Sequence, residues 1–164
     1  MIKYAVTGHT QGIGARLFER LSPTVMGFSK STGYDINRAS DRRRIIEEVA
    51  DCDVFINNAH QPFIQTWMFI DLVTAWKDRE DKTIINVGSR ITDLIMPNTS
   101  FNLLGYQASK IILKEMSNKV HDVKCTVAYK SFGYVGTEAI LAKYPHFTEH
   151  DYISLDAACD IILS

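Results

Sequence analysis

Five short runs in this chain are almost continuously apolar, and each gives way to a stretch with a helical period. "IKYAVTG" (2–8), "TVMGFSK" (24–30), "DVFINNA" (53–59), "KTIINVGS" (82–89) and "VKCTVAY" (123–129) read as strands. "GIGARLFERL", "ASDRRRIIEEVA", "TWMFIDLVTAW", "NLLGYQASKIILKEMSNKV" and "SLDAACDIILS" read as helices. Pro23 stops the first of them, Ser40 or Asp41 caps the second, and Ser154 caps the last. Strands that face water on one side alternate apolar with polar residues, whereas strands covered on both faces do not. The pattern therefore predicts an α/β fold, a doubly wound parallel sheet between two helical layers. Ligands bind such sheets beyond the carboxyl ends of the strands. Those ends carry Thr7–Gly8, Ser29–Lys30, Asn57–His60, Gly88–Ser89 and the segment from Tyr129, so the unusual polar clusters fall on one edge.

A chain of 164 residues suits one domain, here 1–164, and buries roughly 70% of its unfolded surface without metals or crosslinks. A net charge of -1 gives no electrostatic reason to expect nucleic acid or an anionic membrane as partner. Cys52, Cys125 and Cys159 have no metal-ligand spacing and read as reduced thiols, so no metal is expected. The apolar part of "MIKYAVTGHT" is too short for a signal peptide, and no run approaches the ~18–20 apolar residues of a membrane span. A soluble cytoplasmic protein is the expectation.

"TGHTQGIG" lies between the first strand and the first helix. Glycines there permit a tight turn and let a phosphate approach the backbone, while the helix behind presents unpaired amides. This Rossmann-type arrangement assigns Gly8, Gln11, Gly12, Ile13 and Gly14 to a dinucleotide. NAD-preferring domains place an acidic residue at the end of the second strand. Here stand Ser29 and Lys30, which suit a 2′-phosphate, so NADP(H) is favoured over NAD(H), unless Lys30 is an ordinary surface lysine. Asp35 accepts from the adenine amino group or simply ends a turn. In "YQASK", Tyr106 and Lys110 share one helix face, and an ammonium beside a phenol should lower its pKa toward the working range. Ser89, on the same sheet edge, can hydrogen-bond a carbonyl oxygen.

Together these residues resemble the short-chain dehydrogenase/reductase family, in an unusually short form. Its TGxxxGIG turn is matched by Thr7, Gly8, Gly12, Ile13 and Gly14, and its NNAG by Asn57, Asn58 and Ala59. Its serine is matched by Ser89 and its YxxxK by Tyr106 and Lys110, while its PGxVxT appears as "FGYVGT" with Phe132 in place of proline. The resemblance implies hydride transfer between a nicotinamide and a small carbonyl or alcohol substrate. Tyr106 would be the general acid/base, Ser89 would orient the carbonyl, and Lys110 would hold the ribose and lower the tyrosine pKa. Asn57, Asn58 and Ala59 would lie along the adenosine side, partly tying strands together, and Val135 and Thr137 near the nicotinamide. The family's dimer helices correspond to 64–76 and 103–119, so a homodimer or higher homo-oligomer is expected. Phe63, Trp67, Phe69 and Trp76 then serve the core or that contact.

The chain departs from the family in several places. Asn86 follows Asn57 by only 29 positions, which compresses the region after NNA, and the family's last strand has no evident counterpart. The family's catalytic asparagine is missing; Gln61 and Gln65 are the carboxamides nearby, and either could orient Lys110 through a water. His60 replaces the glycine of NNAG, as a pocket residue or proton relay or as a turn residue beside the cofactor, strained if φ is positive there. The insert "RITDLIMPNTSFNLLG" (90–105) is expected in the substrate wall, and 138–153 stands where the family has a lid. These departures leave a second reading open, an NADP-binding module with weak or no catalysis, acting as a cofactor sensor or assembly partner.

Overall fold

The computed structural model describes residues 1–95 and 101–164, with Phe101 and Asn102 described by backbone alone. β1 (Tyr4–Thr7), β2 (Val25–Phe28), β3 (Val54–Asn57), β4 (Thr83–Val87) and β5 (Thr126–Lys130) form one parallel sheet in the order β2-β1-β3-β4-β5. The helices are α1 (Gly12–Leu21), α2 (Ala39–Glu48), α3 (Ile64–Trp76), α4 (Phe101–Lys119), α5 (Glu138–Lys143) and α6 (Leu155–Leu163).

The two-residue period of the strands sorts their side chains into two cores. Ala5, Phe55 and Ile84 join Ile45 of α2, Met68, Phe69, Leu72 and Trp76 of α3 and Leu113 of α4 on one face. Val6, Ile56 and Ile85 join Leu17 of α1 and Ala158, Cys159 and Ile162 of α6 on the other. Each of the Val, Leu, Ile, Phe and Met side chains among them contributes ~1.5–3 kcal/mol by leaving water. That double burial is why the strands read as unbroken apolar runs. α6 is aligned on α1 by Arg16, which grips the Asp156 carboxylate at 2.8 and 3.1 Å, and by Arg20, which reaches Asp160 at 2.7 Å. These pairs are exposed and set orientation more than stability.

Dinucleotide-binding sheets commonly run 3-2-1-4-5-6. The order here is that arrangement with its outermost strand removed. β2 passes through a 3-10 turn at Lys30–Thr32 and continues to α2 with no helix and strand between them. The shortening therefore has a site that the sequence reading misses, in addition to the compressed stretch after Asn57. Beyond β5, no further strand joins the sheet among the described residues.

One boundary is corrected. Arg38, not Ser40 or Asp41, is the residue preceding α2, and it caps nothing with its side chain. Asp41 instead lies in the first turn, where its carboxylate accepts from the Asp35 amide at 2.9 Å and folds the preceding loop back. Ser154 caps α6 as expected, with Oγ accepting from the Ala157 amide. Of the insert 90–105, residues 90–93 form a 3-10 turn, and 96–100 lie outside the described residues.

Candidate active site

The first turn is built around bare backbone. Gly8 and Gly12 have φ of 72° and 54°, a region that side chains rarely adopt. A Cβ on Gly14 would run into the Gly8 carbonyl and lie 2.7 Å from Asn58 Nδ2. Gln11 precedes α1 in extended conformation without a side-chain cap, which leaves the first amides of the helix for another acceptor. Such a cradle fits a diphosphate. The Thr7 hydroxyl accepts from the amides of Asn58 and Ala59, both at 3.0 Å, and Asn58 Nδ2 donates to the Thr7 carbonyl at 3.0 Å. Asn58 and Ala59 thus tie β3 to the turn.

Asn57 serves the tying of strands, which the family resemblance also implied for this segment. It is fully buried, and the register sets it beside Asn86. Its Nδ2 donates to Asn86 Oδ1 at 2.8 Å and to the Gln65 carbonyl at 2.9 Å. Its side chain is a strut inside the sheet and does not reach the cofactor edge. Val135 is likewise buried, with its side chain in the second core. Thr137 caps α5 through Oγ1, and its methyl lies 3.4 Å from where a Gly12 Cβ would stand, so it borders the phosphate turn.

At the end of β2, hydroxyls converge. Ser29 Oγ lies 2.9 Å from Ser31 Oγ, Ser31 Oγ lies 3.3 Å from Thr10 Oγ1, and the Ser29 amide donates to Thr32 Oγ1 at 3.2 Å. Lys30 is mostly exposed, with Nζ 3.6 Å from Asp35 Oδ2. Asp35 also accepts from Asn37, which together with Lys30 holds its carboxyl below the usual carboxylate range.

Lys110 lies on α4, one turn after Tyr106, and is almost wholly buried. Its Nζ donates to Gln65 Oε1 at 2.7 Å and to the Val87 carbonyl at 3.1 Å. Gln65 is buried near the start of α3, and its Nε2 donates to the carbonyls of Asn57 (2.7 Å) and Val87 (2.9 Å). Every polar atom of that carboxamide is used. Gln65 therefore reaches Lys110 directly, whereas the sequence reading had a glutamine acting through water. The clue is a carboxamide in the first turn of the otherwise apolar "IQTWMFIDLVTAW".

Burial, with no acidic partner, brings the Lys110 pKa down to about 8. An NMR titration should find this Nζ changing charge near pH 8, well before the exposed lysines. The linkage follows from the direction of the shift. Between about pH 8 and the usual lysine value of ~10.4, the unfolded chain holds the proton that the native one has released. Lys110 therefore contributes stability that rises with pH across that window, and this part of the slope should be lost in Lys110→Met. Urea denaturation of both proteins at stepped pH measures the difference.

The Ser89 hydroxyl neighbours the Tyr106 phenol and favours its ionised form. Ser89 is fixed through its amide, which donates to Tyr129 Oη at 3.3 Å, and through its Oγ, which accepts from the Ile91 amide. Gly88 is required beside it, because a Cβ there would collide with the Tyr129 ring. The expected fall in the Tyr106 pKa is corrected. Burial raises it, and the neighbouring Ser89 hydroxyl only partly offsets this. Lys110 does not depress it, because Nζ is turned to Gln65 and Val87 and stands 5.8 Å from the centre of the Tyr106 ring.

His60 belongs to this group. Its ring meets that of Tyr106 edge-on at 4.6 Å. More than a third of the residue is exposed, yet the ring's inner side is packed among site atoms. That crowding, with the Lys110 charge behind it, lowers the imidazole pKa and keeps it neutral at pH 7. The strain anticipated at His60 lies elsewhere. Phe63, immediately before α3, has φ of 63°, a conformation costly for a bulky residue. The compressed connection turns there.

The three cysteines are buried free thiols. No three or more His, Cys, Asp or Glu among the described residues are grouped to hold a metal, and none of the described helices is long and apolar enough to cross a membrane.

No protein-family model matches the chain, and no curated protein matches its sequence. Solved structures do match its fold. A short-chain dehydrogenase of Burkholderia cenocepacia, in complex with NADP, is 20% identical with a TM-score of 0.75, over 99% of this chain and 82% of that one. The closed form of a serine dehydrogenase complexed with NADP+ is 17% identical with a TM-score of 0.72, over 99% and 88%. An actinorhodin polyketide ketoreductase with NADPH is 16% identical with a TM-score of 0.73, over 99% and 89%. The chain has the Rossmann-type fold of the short-chain dehydrogenases/reductases.

Proposed function

We propose that this chain is an NADP(H)-dependent oxidoreductase acting between a carbonyl and an alcohol. Residues 1–164 would form one nucleotide-binding domain. The observation that carries the reading is Lys110, buried one helical turn after Tyr106 on α4 and held by Gln65, with Ser89 beside the Tyr106 phenol. Gly8, Gln11, Gly12, Ile13 and Gly14 would hold the diphosphate. Asn58 and Ala59 would border the adenosine, Asp35 would meet the adenine, and Ser29 and Lys30 a 2′-phosphate. Bound nicotinamide would supply the hydride.

Ser89 Oγ and Tyr106 Oη would both address the substrate oxygen, and Tyr106 would give it a proton during reduction. Ser89 also polarises the carbonyl by hydrogen bonding to charge as it develops. Lys110, held by Gln65, would supply a fixed positive charge below about pH 8 for the nicotinamide ribose. The proton lost by Tyr106 returns from water.

The test is NADPH binding in calorimetry followed by NADPH oxidation over a panel of carbonyls. Absence of binding overturns the reading. Binding with no turnover on any carbonyl leaves the cofactor-binding module instead. Lys30→Ala should weaken NADPH by roughly fivefold to tenfold, the loss of one charge-assisted contact of ~1 kcal/mol or more, with little change for NADH. Equal effects on the two cofactors remove Lys30 from the 2′-phosphate site.

A homodimer would bury the outer faces of α3 and α4. Phe63, Trp67, Ile112 and Met116 are exposed there side by side, around a shallow groove. A patch of this kind on a small domain favours self-association. Sedimentation should show a dimer at micromolar concentration that Trp67→Glu dissociates, and a monomeric native chain would refute it.

A further inference from the structure

Tyr134 stands in the segment that links the two halves of the candidate site. At one end, the Arg90 amide, next to Ser89, donates to the Phe132 carbonyl at 3.0 Å. At the other, Thr137 borders the glycine turn. Between them, the Tyr134 carbonyl accepts from the Ile153 amide at 3.0 Å, and the Gly136 amide donates to the Ile153 carbonyl at 2.9 Å. The backbone at Tyr134 is thus pinned between the residues that would hold the carbonyl and those that would hold the cofactor.

The side chain at that point begins an aromatic bank. Tyr134 packs edge-on against Phe147 at 4.9 Å and against Tyr144 at 5.4 Å, while Tyr144 and Phe147 stack at 4.8 Å with planes 11° apart. The bank is not sealed into the core: Tyr134 is 47% exposed. At Tyr106 itself, His60 presents its ring edge-on. Gln107 Nε2, one residue on, holds the carbonyls of Ile91 and Leu94 at 2.9 and 2.8 Å, bringing the exposed Leu94 alongside. Rings therefore stand beside Tyr106, as His60 does, and along the segment tied to Arg90.

Sites that fix a ligand with rings select flat, polarisable partners, because offset and edge-on ring pairs add to simple burial. Resting on the oxidoreductase reading above, we propose that the substrate is an aromatic carbonyl compound whose ring packs on Tyr134, Tyr144 and Phe147 while its oxygen faces Ser89 and Tyr106. The step balances: the carbonyl carbon gains a hydride from NADPH, the oxygen gains the Tyr106 proton, and an aryl alcohol and NADP+ leave.

Acetophenone and cyclohexyl methyl ketone are matched in size and differ in the flat ring. The native protein should reduce acetophenone with a kcat/KM about fivefold to tenfold higher, the range expected of one ring–ring contact. Tyr134→Leu and Phe147→Leu, checked for folding by circular dichroism and for NADPH affinity by calorimetry, should each bring that ratio close to one. Acetophenone binding, followed by saturation transfer without turnover, should weaken in the same variants. Equal rates for the two ketones, or a ratio untouched by both variants, overturn the aromatic subsite while leaving the oxidoreductase reading intact. If no carbonyl is reduced but acetophenone binds and Tyr134→Leu weakens it, the oxidoreductase reading falls and the aromatic site stands. If acetophenone neither binds nor reacts, the subsite falls as well.

Discussion

Tyr106→Phe removes one oxygen and should lower carbonyl reduction by ~10²–10⁴-fold, the range for loss of a positioned general acid. The phenylalanine ring keeps the edge-on contact with His60, so the local packing survives. NADPH affinity should stay unchanged, because Lys110 is held by Gln65 and Val87 without help from the hydroxyl. Stability should change little or rise, since a buried phenol is replaced by a ring with nothing to satisfy. The phenol pKa is already raised by burial, so the native rate should persist to alkaline pH and fall when Lys110 loses its proton near pH 8. Steady-state kinetics beside calorimetry separates these effects. Turnover that survives Tyr106→Phe would remove this residue from the mechanism.

Gln65→Leu should be the most damaging single change to both fold and activity. It strips a 2.7 Å acceptor from the buried Lys110 ammonium and a donor from two strand-end carbonyls. Leaving the buried ammonium short of an acceptor and two carbonyls short of a donor costs about 1–3 kcal/mol, a large part of a domain's net stability. Lys110 should respond by titrating below pH 8. Two further proteins check the cause. Lys110→Met placed in the Gln65→Leu background should recover part of the loss, because the unpaired charge is gone. Gln65→Glu should raise the Lys110 titration point, since a carboxylate favours the ammonium, while still losing the bonds to Asn57 and Val87. If Gln65→Leu unfolds in urea like the native chain, the carboxamide is not what holds the lysine.

The layers of the fold were legible because the strands obey a simple rule. Ala5, Phe55 and Ile84 face one core and Val6, Ile56 and Ile85 the other, so apolar residues run on consecutively through the middle of each of these strands. α1 has the boundaries read from "GIGARLFERL". Short-range rules succeeded where one residue acts on its own turn, as Ser154 does. They failed at Asp41, whose carboxylate was taken by the Asp35 amide of the preceding loop. The candidate residues Ser89, Tyr106 and Lys110 were legible as types and spacings. What joins them was not. A buried carboxamide such as Gln65 looks, in sequence, like any polar residue opening a helix, and its partners come from strands far along the chain. The Tyr106 pKa was misjudged for a related reason. Spacing put an ammonium one turn away, but direction decides whether the two groups meet. The missing outer strand left no mark except the shortness of "SKSTGYDIN".

The hydrogen bond between Asn57 and Asn86 has a consequence for how this sheet assembles. Parallel strands of continuous aliphatic residues slide past one another at little cost in burial, because every offset still meets an apolar neighbour. A slip of one residue between β3 and β4 would turn one carboxamide to the opposite face and leave the other without its partner. It would also part Gln65 from one of the two carbonyls it spans, Asn57 and Val87. The polar pair works as a key that one alignment alone accepts. Mispaired strands are rejected at the same place where Lys110 is seated.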